Sequence, residues 1–473
     1  GAESVERRSG AKGNAEQPHM RRTQSRESMS QRLSRVREAA KQRKKERFTA
    51  LFHLLTAEAL ENAFLSLSRK AAAGVDGVRW KDYAENLKVN IADLHRRLHQ
   101  GSYRAQPGRR HYIPKADGKQ RPLGIASLED KIVQYALVKI LNAVYENDFM
   151  GFSYGFRPGR SQHNALDALA TGLVRTNVNW VLDADISQFF DKVSHEWLIR
   201  FIEHRIGDQR VIRLIRKWLT AGTSEEGEWR ASEEGTPQGA VISPLLANIY
   251  LHYVFDLWAH QWRRRHATGN VVMVRYADDI VIGFDKRIDA QCFRIAMQRR
   301  LKEFGLTVHP KKTRLMEFGR FAAENRASRG KGKPETFNFL GFTHISGKDR
   351  SGRFMLIRKT RRDRMTATLK AIKDGLRKRW HYSIPEQGKW LRRVVQGYLN
   401  YHSVPGNYPM MRKFRIYVTD LWRRALRRRS QQDDTTWTKA NRLAAVWLPK
   451  VRVLHPWPVE RFTARHPRQE PGA

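Results

Sequence analysis

The feature that most constrains this chain is the run Val271-Val-Met-Val-Arg-Tyr-Ala-Asp-Asp-Ile-Val-Ile-Gly-Phe284, in which two adjacent carboxylates interrupt a strongly β-forming sequence. It reads as two strands joined by a tight acidic turn. Asp is at home in turns, which is the plain structural account of the pair. A two-residue hairpin turn, however, favours Asn-Gly or Asp-Gly because its central residues need positive φ, and Ala277-Asp278-Asp279 supplies no glycine. Two neighbouring anions between apolar strands also repel each other, and a divalent cation would relieve them. A second β-rich run, Asn179-Trp-Val-Leu-Asp-Ala-Asp-Ile186, ends in the same way. The strand period of two puts Asp183 and Asp185 on one face with Val181, opposite Trp180, Leu182 and Ala184. If both acidic ends meet in one antiparallel sheet, they make a site for two Mg²⁺ ions, hard cations that take carboxylate and phosphate oxygens. Such a pair activates an attacking hydroxyl and stabilises the leaving oxygen of an in-line phosphoryl transfer.

Charge names the partner of that chemistry. Lys and Arg number 89 against 47 Asp and Glu, a net +42, while 40% of residues are apolar, enough for packed cores. A folded chain this basic is matched to a polyanion, and nucleic acid is the leading candidate because each neutralised phosphate releases condensed counterions. With carboxylate metal sites, the charge points to polymerase or nuclease chemistry. An anionic membrane is the rival polyanion, yet no stretch approaches the ~20 apolar residues of a spanning helix. No membrane partner is therefore expected. The single cysteine, Cys292, forbids an internal disulfide and fits a reducing cytosol, so a cytoplasmic location is expected.

The excess charge is uneven. Residues 351–473 carry 29 basic and 8 acidic side chains, half of the surplus in about a quarter of the chain. Residues 1–29 read as a basic mobile arm, poor in apolar side chains. From Ser30 to about Leu67 the spacing of Leu51, Leu54, Leu55, Ala59, Leu60 and Phe64 predicts two short helices. Helical spacing recurs at 192–218 and 243–263. Beyond about residue 355 the β signal fades, and three basic amphipathic helices are predicted at 359–379, 388–401 and 409–429, punctuated by Pro385 and Pro405. The chain is thus α+β, with a largely helical last third.

Several residues are placed to help the carboxylates. Lys115 and Arg121 flank Gly118 on a glycine-containing hairpin with basic arms, where cations suit a triphosphate; a solvated charged turn is the plainer account. Thr236-Pro-Gln-Gly239 precedes the helical stretch at 243 and would offer backbone N–H groups and the Gln238 amide beside the metals. Phe189 and Phe190 follow Asp185 closely, and a core position is the plain reading of Phe189.

In order along the chain these residues join Gly74-Val-Asp-Gly77, Arg121-Pro-Leu-Gly-Ile125, Ser153-Tyr-Gly-Phe-Arg-Pro-Gly159, Asp185-Ile-Ser-Gln-Phe-Phe190, Thr236-Pro-Gln-Gly239, Tyr276-Ala-Asp-Asp279 and Asn338-Phe-Leu-Gly341. From about Ser30 to its end the chain resembles the group II intron reverse transcriptase/maturase family, and Gly397-Tyr-Leu-Asn-Tyr401 is similar to that family's thumb. The resemblance implies a right-hand polymerase: an N-terminal extension and start of the fingers over 30–110, fingers and palm with an antiparallel sheet over 111–348, and an α-helical thumb, the maturase domain X, over 349–431. A basic Trp- and Pro-rich segment, 432–473, would cap the thumb with nucleic-acid contacts at its rim.

By the same resemblance, Asp185 and Asp278 are the metal ligands, Asp279 is the adjacent carboxylate, and Asp183 lies outside the catalytic set. Phe190 packs under the incoming sugar and rejects a 2′-OH by steric clash. Lys115 and Arg121 hold the triphosphate, and Gln238 sits beside the nucleotide. The implied partners are group II intron RNA, an RNA template with a DNA primer, target DNA and dNTPs. The implied activity is RNA-directed DNA polymerisation, together with maturase assistance in splicing and reverse transcription during intron mobility. Two other roles share these motifs: a domesticated enzyme of DNA repair or phage defence, and a splicing cofactor that needs no polymerisation. Many relatives also carry a Cys-containing HNH endonuclease, which is not expected here because the only cysteine is at 292 and His195-Glu196 lacks a second helical His. Among the basic-helix aromatics Trp380, Trp390, Tyr398, Tyr401 and Trp422, most are expected to pack between helices and one or two to stack on bases.

Overall fold

The computed structural model describes residues 28–114, 120–429 and 435–465. The helices Met29–Gln42 and Ala57–Ser66 fulfil the expectation of two short helices, each begun by a hydroxyl that accepts from a first-turn N–H: Ser28 from Gln31, Thr56 from Ala59. Helices Leu128–Tyr145, Gln162–Arg175, His195–Glu203, Gln209–Thr220 and Arg287–Glu303 pack around the strands. The stretch predicted as helical at 192–218 is broken at 204–208. There Phe48 and Ile206 form a β-bridge, and Asp208 both caps the next helix at Arg210 and accepts from the backbone N–H groups of Leu51 and Phe52.

Among the described residues the strands are β1 (Gly108–Pro114) and β2 (Gln120–Ile125), β3 (Trp180–Asp185), β4 (Thr223–Glu225) and β5 (Glu228–Arg230), β6 (Val271–Tyr276) and β7 (Asp279–Phe284), β8 (Arg314–Glu317), and β9 (Phe337–Phe339), β10 (Phe342–Lys348) and β11 (Phe354–Thr360). They form three sheets, ordered β2-β1-β4-β5, β6-β7-β3-β8 and β11-β10-β9. The central sheet, β6-β7-β3-β8, is antiparallel throughout.

The central sheet is covered on both faces, and the alternation of its strands sorts them. Leu182, Ala184, Ile280, Ile282 and Met273 enter the main core with Leu137, Leu246 and Phe293. Val181, Val281, Val272 and Val274 enter a second core with Leu166, Leu169, Phe337 and Phe342. Burial on both sides explains why β6 and β7 read as nearly unbroken apolar runs.

A bundle of three helices, Arg362–Lys378, Ile384–His402 and Tyr408–Arg427, encloses a separate core of Ile372, Leu391, Val395, Phe414, Val418 and Trp422. The first begins only after β11, which continues to Thr360, past the point where the β pattern fades in the sequence. The second begins four residues before the expected 388. Pro385 does not end a helix but sits in the first turn of this one, where its missing N–H is harmless, and Ser383 and Glu386 close a capping box. The helix Trp437–Trp447 packs on the second and third bundle helices. Beyond it the chain leaves the bundle. Pro458–Arg465 packs on Gln162–Arg175, with Phe462 in the second core and Arg461 paired to Asp167. No helix among the described residues is long and apolar enough to cross a membrane.

Candidate active site

The two acidic strand ends lie side by side, for Asp185 is the direct cross-strand partner of Asp279, and Asp279 in turn pairs with Tyr276. The turn between β6 and β7 is Ala277-Asp278, with positive φ, 56°, at Ala277 alone, the pattern of a type II′ turn. Alanine stands where glycine is usual, and its surroundings hold it there. The Arg275 guanidinium donates to the Ala277 carbonyl at 3.0 Å. It also donates to both oxygens of Asp256, at 2.7 and 2.6 Å, to Asn248 at 3.2 Å and to Ser153 Oγ at 2.7 Å. All five N–H donors of a fully buried arginine are therefore used, which is what makes the burial tolerable. From the other side Gly155 presses on the turn: a Cβ there would lie 2.3 Å from the Ala277 nitrogen, so only glycine fits.

Crowding like charges raises their proton affinity. Loss of hydration in the cleft pushes the Asp279 carboxyl up to about 7, and the charges of Asp278, Asp185 and Asp183 add to it. Burial likewise raises Asp278, and it lifts Asp183 to about 6, opposed there by Arg314. The cation in direct contact with Asp185 is Lys312, whose ammonium donates to Oδ2 at 2.6 Å, an ion pair that holds the lysine above its ordinary pKa. Neither Lys312 nor Arg275 stands out in the sequence. For Lys312 a signal exists once pairing is known: Asp183 faces Arg314 across β3 and β8, so the same antiparallel register brings residue 312 opposite residue 185.

A second group of side chains gathers next to the carboxylates. Arg121 Nε donates to Gln238 Oε1 at 2.9 Å, and Gln238 Nε2 donates to Asp191 Oδ1 at 2.5 Å. The backbone reinforces this line, since Gly124 N–H donates to the Gln238 carbonyl at 2.7 Å and Thr236 N–H to the Phe190 carbonyl at 2.7 Å. Phe190 is half-buried and packs edge-on against the fully buried Phe189 at 5.3 Å between ring centroids. Arg121, Gln238 and Phe190 thus come together, and Asp191, which follows Phe190 in the sequence, joins them as an orienting group. Lys115 lies outside the described residues.

No three His, Cys, Asp or Glu side chains among the described residues form a ready-made metal cage. The donor set nevertheless suits Mg²⁺, which is commonly bound through one or two carboxylates with substrate phosphates and water completing the shell. Asp185 and Asp278 offer those carboxylates.

Acids at the ends of two neighbouring inner strands, beside the line Arg121, Gln238, Asp191, make up the candidate site. Residues 113–344 match the family described as Reverse transcriptase (RNA-dependent DNA polymerase). The likeness to the group II intron reverse transcriptase/maturase family is borne out by its relatives. Over 206 residues the chain is 43% identical to Protein YkfC of Escherichia coli, covering 42% of this chain and 54% of that protein. Group II intron-encoded protein LtrA of Lactococcus lactis subsp. cremoris is 37% identical over 223 residues, covering 46% of this chain and 37% of LtrA. The Putative COX1/OXI3 intron 1 protein of Saccharomyces cerevisiae is 26% identical over 393 residues, covering 69% of this chain and 46% of that protein. The alignments thus span between 37% and 54% of these relatives' own lengths.

Proposed function

We propose that the protein is an RNA-directed DNA polymerase that also binds a group II intron RNA as a maturase, assisting its splicing and copying it during mobility. The observation that carries the reading is the juxtaposition of Asp185 with the Asp278-Asp279 turn, beside the line Arg121, Gln238, Asp191. In this reading the architecture is a right hand: fingers around the β2-β1-β4-β5 sheet, a palm built on the central sheet, and a thumb formed by the helical bundle. Domain limits follow the sequence expectations, with the thumb helices proper starting at Arg362.

Asp185 and Asp278 would hold Mg²⁺, with Asp279 as a third carboxylate at their side. Held by these carboxylates, Mg²⁺ would supply activation of a primer 3′-OH and charge neutralisation at the leaving pyrophosphate. The protein's own residues do the positioning. Arg121 faces the triphosphate while Gln238, fixed by Asp191, presents its amide beside the nucleotide. Phe190, held in place by Phe189 and by the backbone bond to Thr236, closes the space a ribose 2′-OH would need. Lys312 offsets the Asp185 charge through its ion pair, so it would share that carboxylate with any cation held there. Below the turn, Arg275 fixes the height of Asp278 against the sheet.

The bundle's positive face supports RNA binding, since A-form duplexes are read through backbone and shape rather than base edges. Template RNA, primer, dNTPs, intron RNA and target DNA are the partners of this proposal. Primer extension on an RNA template with Mg²⁺ and dNTPs, alongside Asp278→Ala, tests it. Synthesis by the unaltered chain and none by the variant is expected; equal synthesis by both would remove Asp278 from the mechanism.

A further inference from the structure

The basic bundle contains a cavity of about 100 Å³ that shares no residue with the polymerase site. Its floor is Leu376, Leu421 and Ala425, one wall is Trp380, and its mouth is ringed by Lys373, Arg377, Arg424 and Arg428. The cavity opens between the C-terminal halves of Arg362–Lys378 and Tyr408–Arg427. Among the bundle aromatics singled out in the sequence, Trp422 and Tyr398 are buried in the bundle core, whereas Trp380 is 37% exposed at this opening.

An apolar floor, an aromatic wall and a cationic rim together match a planar ring attached to phosphate. We infer that the cavity captures one unstacked base of an RNA strand, with the base against Trp380 and its flanking phosphates on Arg377 and Arg428; the inference rests on the proposed RNA-binding function. Arg424 is already paired to Asp420 at 2.7 Å and serves as rim charge. Lys373, Arg377 and Arg428 have no carboxylate partner among the described residues.

Charge extent favours a strand over a free nucleotide. Exposed cations continue along the first helix from Lys370 through Lys373 and Arg377 to Lys378, with Asp374 the one acid among them, eight helical steps that span about 12 Å at ~1.5 Å each. That is more than one phosphate at the ~3.4 Å spacing along a stacked strand. A mononucleotide would leave most of this stripe unused. The aromatic wall separates the site from a simple charged patch, which holds paired and unpaired RNA alike.

The test uses the full chain and three RNA hairpins of equal length: one with a single bulged 2-aminopurine, one fully paired, and one with an abasic residue at the bulge. Trp380→Ala should weaken the bulged hairpin roughly tenfold and abolish the fluorescence change of 2-aminopurine, with the other two hairpins unaffected. Trp380→Phe should restore most of the loss. Arg377→Gln and Arg428→Gln should weaken the bulged hairpin and lower its salt dependence by about one phosphate each. An equal effect of Trp380→Ala on all three hairpins, or no effect on any, overturns the inference. So does AMP that quenches Trp380 fluorescence while bulged RNA does not, for the cavity would then take a free nucleotide. Wild-type primer extension measured in parallel keeps the two questions apart. Its failure would sink the proposed polymerase and leave the hairpin comparison standing.

Discussion

The central sheet and the helical bundle handle charge in opposite ways. In the sheet, Asp183, Asp185, Asp278 and Asp279 are forced together, opposed at Asp185 by Lys312, while a fully buried Arg275 props the turn from below. In the bundle the excess is positive and points outward, leaving an apolar core that could belong to any amphipathic assembly. The sheet holds an arrangement unfavourable in itself, of the sort that substrate and metal relieve. The bundle merely displays charge and sacrifices little stability to do so. In the proposed function the first depends on exact placement and the second on sign and density.

The sharpest way to break this contrast is at the turn. Asp278→Asn should cut polymerisation by more than roughly a hundredfold, the scale seen when one preorganised electrostatic group is lost. The same change should raise the thermal midpoint, because it removes one of the crowded anions; a lowered midpoint would mean that the acids are not in conflict. Primer extension and calorimetry on the same samples give both answers.

Beneath the turn, Arg275→Met should destabilise by about 3–5 kcal/mol, since Asp256 would be left buried and unpaired. Adding Asp256→Leu should recover much of that stability. Polymerisation should stay impaired in the double variant, because Ala277 would still have lost its guanidinium donor. Denaturant unfolding of the single and double variants measures the first part and primer extension the second.

Acid should act on the buried histidines rather than on the bundle surface. Burial lowers His344 from 6.5 to about 3, with Arg358 adding to the effect, so the unfolded chain takes up a proton that the folded chain refuses. The stability due to the neutral ring is therefore full above pH 6.5 and is lost as pH falls from 6.5 toward 3. Each such histidine contributes a slope of about 1.4 kcal/mol per pH unit. Removing the ring with His344→Leu should flatten that limb by one histidine's share, which thermal melts across the pH range would reveal.

The smallest effect is expected on the bundle surface. Its pair with Asp420 is exposed at the arginine, so Arg424→Gln should change stability by less than about 1 kcal/mol. RNA affinity should nonetheless fall, with the salt slope reduced by about one. A large loss of stability there would erase the distinction between the two regions.

Much of this was legible in the sequence because it is local. The β6-β7 hairpin announces itself through β-branched runs on either side of a short acidic break, and the bundle helices through apolar spacing between capping and proline signals. The bundle boundaries slipped where such signals were misread: Pro385 lies within the first helical turn, and β11 carries the β pattern as far as Thr360. Asp185, Asp278, Arg121, Gln238 and Phe190 were each recognisable as residue types in motifs. Their partners were not. Lys312 meets Asp185 from 127 positions away, Asp191 meets Gln238 from 47, and Arg275 reaches Ser153 from 122.

Sequence alone thus determined the α+β class, the acidic strand ends and the basic last third. These follow from composition and from periods of two and 3.6 residues, which neighbouring positions express without help. Only the tertiary structure decided that β3 and β7 pair with Asp185 against Asp279, that Arg275 spends all five donors under the turn, and that Trp380 lines an open cavity while Trp422 is sealed. It also decided that the last described helix returns to the central domain, where Arg461 meets Asp167. Each of these depends on registers and packing angles between segments far apart in the chain, and such relations have no period for a sequence to display.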